Sequence, residues 1–191
     1  MSASVVVLTC NKIKFLRDFL ASFLENSRPD TELILCAQGC TDGTNRWLSQ
    51  YQFNSIIRAN HIKFVIEDAN EGLDRYDKLV QTYTTGDIII DADEDVLLFK
   101  GYEEVLSGVL TDGRFGWVGI PAKDTPMLKF PGGRQWNVNG YRVVEAAVGG
   151  HLAATSKKVW DRVGGFGTGR TAFDPEDARY QRKCIEAGYL T

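Results

Sequence analysis

Residues 86–99 read GDIIIDADEDVLLF. Three isoleucines run straight into Asp91, Asp93, Glu94 and Asp95, and the chain then turns apolar again. Carboxylates a few ångströms apart repel one another, and a positive charge between them relieves the repulsion. Two arrangements account for such a cluster. A solvated turn at a strand end leaves the acids in water, whereas a divalent cation at the end of a core strand binds them together. Mg2+ and Mn2+ take oxygen ligands and need only one or two protein carboxylates when phosphates and water complete the shell. Side chains two apart on a strand point the same way, so Asp91, Asp93 and Asp95 are expected to share a face.

The elements that position this cluster follow from the apolar patterning. SVVVLTC, TELILC, HIKFVIE and DIII are short runs with the length and β-branched content of buried strands. Phe15, Leu16, Phe19, Leu20, Phe23 and Leu24 recur at three- and four-residue spacing, which predicts an amphipathic helix between the first two strands. Further helices are predicted over 44–52, with Trp47 and Leu48 inward, and over 73–83. Strands alternating with helices of this length define an α/β domain with a largely parallel sheet. Right-handed crossovers bring the carboxyl ends of the strands to one edge, where open α/β sheets bind ligands. TCNK, AQGCTDGT, DANEG and DADED all fall on that edge.

The second half is patterned differently. GWVGIP and GGHLAAT read as strands, SKKVWDRVGGF as a short helix stopped by glycine, and residues 176–187 as a final helix stopped at Gly188. MLKFPGGRQWNVNGYRVVE reads as a long loop or hairpin whose Phe130, Trp136 and Tyr141 either stack on a bound ring or pack down, with Arg134 beside them. His61 reads as a surface residue at a strand start.

Composition sets the outer bounds. The chain has 191 residues, 43% hydrophobic and 25% charged, enough for one globular domain with a substantial core. A formal charge of −3 gives no general attraction to nucleic acid. No stretch has the length of a membrane span, and the first residues read as a strand rather than a signal segment. The four cysteines, at 10, 36, 40 and 184, include one pair four apart but no second pair at zinc-site spacing. Reduced thiols and a cytoplasmic setting are therefore expected.

Taken in order, these motifs resemble the family-2 glycosyltransferases of GT-A fold. The resemblance is carried by Thr9-Cys10-Asn11 after the first strand, AQGCTDGT after the second, Asn70-Glu71-Gly72 after the third, and GD with an apolar run into an Asp-x-Asp. The late segment GGHLAATSKKVWDRVGGFGTGRTAFDPEDARYQRKCIEAGY completes it, so that it spans nearly the whole chain.

The resemblance implies a Rossmann-like, mostly parallel central sheet flanked by helices in a single domain over 1–191. Residues 1–99 would form the nucleotide-binding half and 100–191 the acceptor and catalytic half. It implies a metal-dependent, inverting transferase of hexosyltransferase type, moving a sugar from a UDP- or GDP-sugar to an unidentified acceptor hydroxyl. Thr9, Asn11, Gln38, Asp42, Asn70, Gly72 and Asp93 would frame the donor nucleotide. Asp93 and Asp95 would hold Mn2+ or Mg2+ as the DXD motif, with Asp91-Ala92-Asp93 the competing register. The cation stabilises charge on the departing diphosphate as a Lewis acid. Asp177 would be the base, because an acceptor hydroxyl is a poor nucleophile until a carboxylate takes its proton. Glu176 and Asp177 also read as ordinary first-turn helix acids.

Phe166 and its preceding glycines correspond to a turn that shapes the donor-sugar pocket, and Arg182 or Lys183 to a late arginine. His151 falls near the active centre of relatives, or serves as a structural histidine. Ala37 and Gln38 stand where relatives carry acids, one of which contacts the nucleobase; a glutamine amide both donates and accepts, so it too can pair with a base edge. Two other readings are a nucleotide-sugar-binding module that has lost catalysis, and nucleotidyl transfer on a related sheet. The chain lacks the glycine-rich, lysine-containing loop after strand one that the latter chemistry usually uses.

Overall fold

The computed structural model describes residues 1–51, 61–72, 74–121, 133–146, 151–167 and 176–191. Its element order is β1 (Ala3–Thr9), α1 (Ile13–Asn26), β2 (Glu32–Gln38), α2 (Thr44–Tyr51), β3 (Ile62–Glu67), α3 (Asp74–Tyr83), β4 (Ile88–Ala92), α4 (Tyr102–Leu110) and β5 (Val118–Gly119). Then come β6 (Gln135–Val138), β7 (Tyr141–Val144), β8 (Leu152–Ser156), α5 (Lys157–Val163) and α6 (Glu176–Glu186). Six strands form one sheet in the order β3-β2-β1-β4-β8-β5. β3, β2, β1 and β4 run parallel, while β8 runs antiparallel to both β4 and β5. The chain winds outward from β1 to β3 and returns to place β4 on the other side of β1, which creates the switch point where such sheets bind ligands.

Alternation along β1 explains the layers. Val5 and Val7 face a core built with Leu16, Phe19, Leu20 and Phe23 of α1 and Tyr102, Leu106 and Val109 of α4. Val6 faces the opposite core, with Tyr76, Leu79 and Val80 of α3, Trp160 of α5 and Tyr180 and Cys184 of α6. Each large side chain so buried contributes about 1.5–3 kcal/mol, which is why the strand runs read as apolar throughout.

Gly86, opening the GD step before β4, is dictated by crowding. A Cβ there would lie 2.8 Å from the Ser4 backbone nitrogen and 2.7 Å from its Oγ, and the Gly86 N–H donates to that Oγ at 2.9 Å.

Two details depart from the sequence expectations, and a third decides between alternatives they left open. α4 has no counterpart in them, although Tyr102, Leu106, Val109 and Leu110 form its buried stripe. The loop-or-hairpin stretch contains a true hairpin, β6–β7, turning at Asn139-Gly140 with φ of 51° and 88°. Finally, β4 ends at Ala92, so Asp91, Asp93 and Asp95 do not share the face of one strand. Trp136 packs edge-to-face on Phe115 and Tyr141 against Gly108 of α4. Phe130 lies outside the described residues, as does Gln52 of the second predicted helix.

Candidate active site

Four turns converge at the carboxyl edge of the parallel strands. They enclose a cleft of about 260 Å3 lined by Leu8, Thr9, Cys10 and Lys12 after β1, Gln38 at the end of β2, Asn70 and Gly72 after β3, and Glu94 after β4. Each polar cluster anticipated on that edge thus supplies a wall. Thr9 is only 2% exposed, and its hydroxyl has no hydrogen-bond partner among the described residues. An unpaired buried hydroxyl costs about 1–3 kcal/mol, and this one stands in the cleft wall.

The turns are knitted together by their own polar side chains. Asn11 Oδ1 accepts from the backbone N–H groups of Thr41 at 2.7 Å and Asp42 at 3.2 Å. Asp42 reaches back: its Oδ2 accepts from the Ile13 N–H at 2.9 Å, and its Oδ1 from the Thr44 N–H at 3.1 Å and hydroxyl at 2.6 Å. One carboxylate therefore caps both α1 and α2. Burial pushes its pKa up, but the bonds from Thr44 and Ile13 outweigh that and hold it below the ordinary value. Asn11 and Asp42 bind the first two turns to each other and are not among the residues that line the cleft.

Gln38, 3% exposed, spends its amide on the third turn. Nε2 donates to the Gly72 carbonyl at 3.0 Å, and Oε1 accepts from the Glu71 N–H at 2.8 Å. Asn70 Oδ1 accepts from the Gly72 N–H at 2.8 Å, closing the turn, while Gly72 sits at φ 64°.

The acids after β4 go three ways. Asp91, half-buried in the strand, lies near Tyr76, whose hydroxyl has no hydrogen-bond partner of ordinary geometry among the described residues. Burial first, then the neighbouring charge of Asp93, drive the Asp91 pKa well above the usual carboxylate range; proximity to Tyr76 opposes this, and Glu176 and Asp177 add to it. Asp93 Oδ2 lies 2.7 Å from His151 Nδ1, and the Asp93 N–H donates to the His151 carbonyl at 3.1 Å. This contact follows from the topology: β8 runs antiparallel to β4 with Leu152 opposite Ala92, so the residue before β8 meets the residue after β4. Asp95 Oδ2 pairs with Lys12 Nζ at 3.2 Å, and Glu94 Oε1 with the same nitrogen at 3.4 Å. Partial burial lowers the Lys12 pKa, but the bond to Asp95 and the charges of Glu94 and Asp95 reverse this and raise it.

Glu176 and Asp177 open α6, and their charges are among those that raise the Asp91 pKa. The GGFG turn at 164–167 is gripped from two helices. Asp77 of α3 accepts from the N–H groups of Phe166 at 3.0 Å and Gly167 at 2.8 Å. Lys183 donates to the carbonyls of Gly165 at 2.8 Å and Gly164 at 3.3 Å.

Lys12 and Asp77 had no role in the sequence expectations. Lys12 stands in a turn already singled out, but nothing local points to acids 83 residues away. Among the described residues no three acidic, histidine or cysteine side chains gather closely enough to enclose a metal ion unaided. Asp93 and Asp95 keep 44% and 41% of their side chains accessible and are not among the residues that line the cleft; carboxylate oxygens of this kind suit a hard cation whose shell a diphosphate and water complete.

The Glycosyl transferase family 2 profile matches residues 4–149, and the chain belongs to that family. Its mostly parallel sheet flanked by helices is the GT-A fold. Mannosyltransferase PcManGT from Pyrobaculum calidifontis, solved with GDP-Man and Mn2+, superposes with a TM-score of 0.75 at 20% identity, over 98% of this chain and 53% of its own. GalNAc-T7, solved with UDP, GalNAc and Mn2+, gives 0.76 at 16% identity, over 99% and 41%. The 1–349 fragment of S. aureus TarS gives 0.66 at 16%, over 96% and 55%. The chain thus spans about half the length of these solved relatives, and the likeness is one of fold. No curated protein matches it in sequence.

Proposed function

We propose that the chain transfers a sugar from a nucleotide-sugar donor to an acceptor hydroxyl, with inversion at the anomeric carbon. The observation that carries the reading is one cleft to which all four family turns contribute, with the Thr9 hydroxyl, unpartnered among the described residues, in its wall. Thr9, Asn70 and Gly72 frame the nucleotide directly. Gln38 does so through the turn it holds, and Asn11 and Asp42 by fixing the two turns before it.

Asp93 and Asp95 would hold the divalent ion, Mn2+ or Mg2+. When bound, it supplies Lewis-acid stabilisation of the departing diphosphate. Asp177 receives the proton of the acceptor hydroxyl as the new bond forms. The GGFG turn, gripped by Asp77 and Lys183, borders the sugar. Four free thiols suit a reducing, cytoplasmic setting, and among the described residues no helix is long and apolar enough to cross a membrane.

Asp177→Asn keeps the size of the side chain and removes the base. Transfer should fall by at least about a hundredfold, while a thermal-shift screen of UDP and GDP with Mn2+ registers the same stabilisation as for the unaltered chain. Turnover retained in that variant refutes the assignment of the base. Release of pyrophosphate in place of nucleoside diphosphate would point to nucleotidyl transfer instead.

A further inference from the structure

Lys12 is the cation among the described residues that line the cleft, and it is already engaged. Its ammonium stands 3.2 Å from Asp95 Oδ2 and 3.4 Å from Glu94 Oε1, joining the start of α1 to the acidic turn. Glu94 is nearly buried, with 9% of its side chain accessible, whereas Lys12 and Asp95 remain accessible at 43% and 41%. The geometry points to Lys12 as an internal counter-ion that occupies the Asp95 carboxylate until a divalent ion and the donor diphosphate arrive together. The inference rests on the metal assignment of the proposed function and adds to it a competitor within the chain.

The electrostatics give the mechanism. An ammonium and a divalent ion cannot share the Asp95 oxygens without repelling each other. A metal alone must first displace Lys12, leaving that cation beside the incoming one. A diphosphate changes the balance, because its negative charges accept both the metal and the released ammonium. The chain should therefore bind Mn2+ weakly alone and more tightly with a nucleoside diphosphate, through a coupling that passes through Lys12. No cap depends on the side chain: Lys12 makes no side-chain capping bond to α1, and Asp42 caps the Ile13 N–H.

The experiment is calorimetric titration of MnCl2 into the unaltered chain, Lys12→Met and Lys12→Arg, each without nucleotide and with saturating UDP or GDP. Lys12→Met should bind Mn2+ alone about two- to fivefold more tightly, the span an exposed ion pair of this kind is worth, and its gain from nucleotide should shrink. Lys12→Arg should behave as the unaltered chain. A purely structural lysine would leave metal affinity unchanged or weaken it. If Lys12→Met binds Mn2+ alone no more tightly while all three forms bind it with nucleotide, the counter-ion role is wrong and the metal assignment stands. If none binds Mn2+ with or without nucleotide, the metal assignment fails and the counter-ion role falls with it.

Discussion

Replacing Gln38 by glutamate changes a single atom in the buried clamp between β2 and the Asn70–Gly72 turn. The introduced carboxyl still accepts from the Glu71 N–H, now at 2.8 Å from Oε1. The group that donated to the Gly72 carbonyl at 3.0 Å becomes a second acceptor, so at neutral pH two oxygens face each other at a position 3% exposed. A lost neutral hydrogen bond costs about 1 kcal/mol, and an unsatisfied buried polar group about 1–3 kcal/mol. Together these give a destabilisation of about 2–4 kcal/mol at pH 7. With a urea m-value of about 2 kcal/mol/M, the midpoint should fall by about 1–2 M.

The loss must also depend on pH. Protonated, the carboxyl can donate to the Gly72 carbonyl as the amide does, so folding raises its pKa above the unfolded value of about 4.3. A raised folded pKa means that the variant recovers stability below about pH 4.3 and loses it as pH rises through the folded value. Gln38→Leu should lose about 2 kcal/mol, without that dependence. Urea melts of the three forms between pH 4 and pH 8 separate the cases. If Gln38→Glu stays within about 0.5 kcal/mol of the parent, or its deficit is flat across that range, the clamp as described is wrong.

Asp77→Ala removes both acceptors from the 164–167 turn; it should cost about 3 kcal/mol and lower kcat more than nucleoside diphosphate affinity, measured by urea melts and donor titrations. Glu32 accepts from the Ser4 hydroxyl at 2.6 Å and the Thr85 N–H at 2.9 Å. Burial raises its pKa, but the bonds from Ser4 and Thr85 bring it below the ordinary 4.5. Its contribution is therefore present above about pH 4.5 and lost as pH falls through the folded value, so Glu32→Gln should flatten the acid limb of a pH–stability curve.

The frame of the sheet was legible because β1, β2 and β4 are buried on both faces and write that burial as apolar runs, while the edge strand β3 is only partly buried. The clusters at their ends were legible for the same reason, since a parallel sheet sends every strand-to-helix turn to one edge. What passed unseen was pairing across distance. Gln38 meets Gly72 over 34 residues, Asp93 meets His151 over 58, and Asp77 meets Phe166 over 89; no local pattern encodes such partners. The acidic run misled in one respect. Alternation suggested one shared face for Asp91, Asp93 and Asp95, but the strand stops at Ala92: Asp91 stays within it, and the turn beyond sends Asp93 to His151 and Asp95 to Lys12. α4 was missed although its stripe is present, because Gly101 and Gly108 break the run.

The reversed strand β8 has a bearing on biosynthesis. It covers β4 along its whole length, so until it arrives the nascent sheet presents an unprotected row of amides and carbonyls. Leu152 emerges 60 residues after Ala92, a lag on the order of 3–12 s at ordinary translation speed. During that interval the nucleotide half of the chain has been synthesised while the β4 flank of its sheet is still without the partner strand that later covers it.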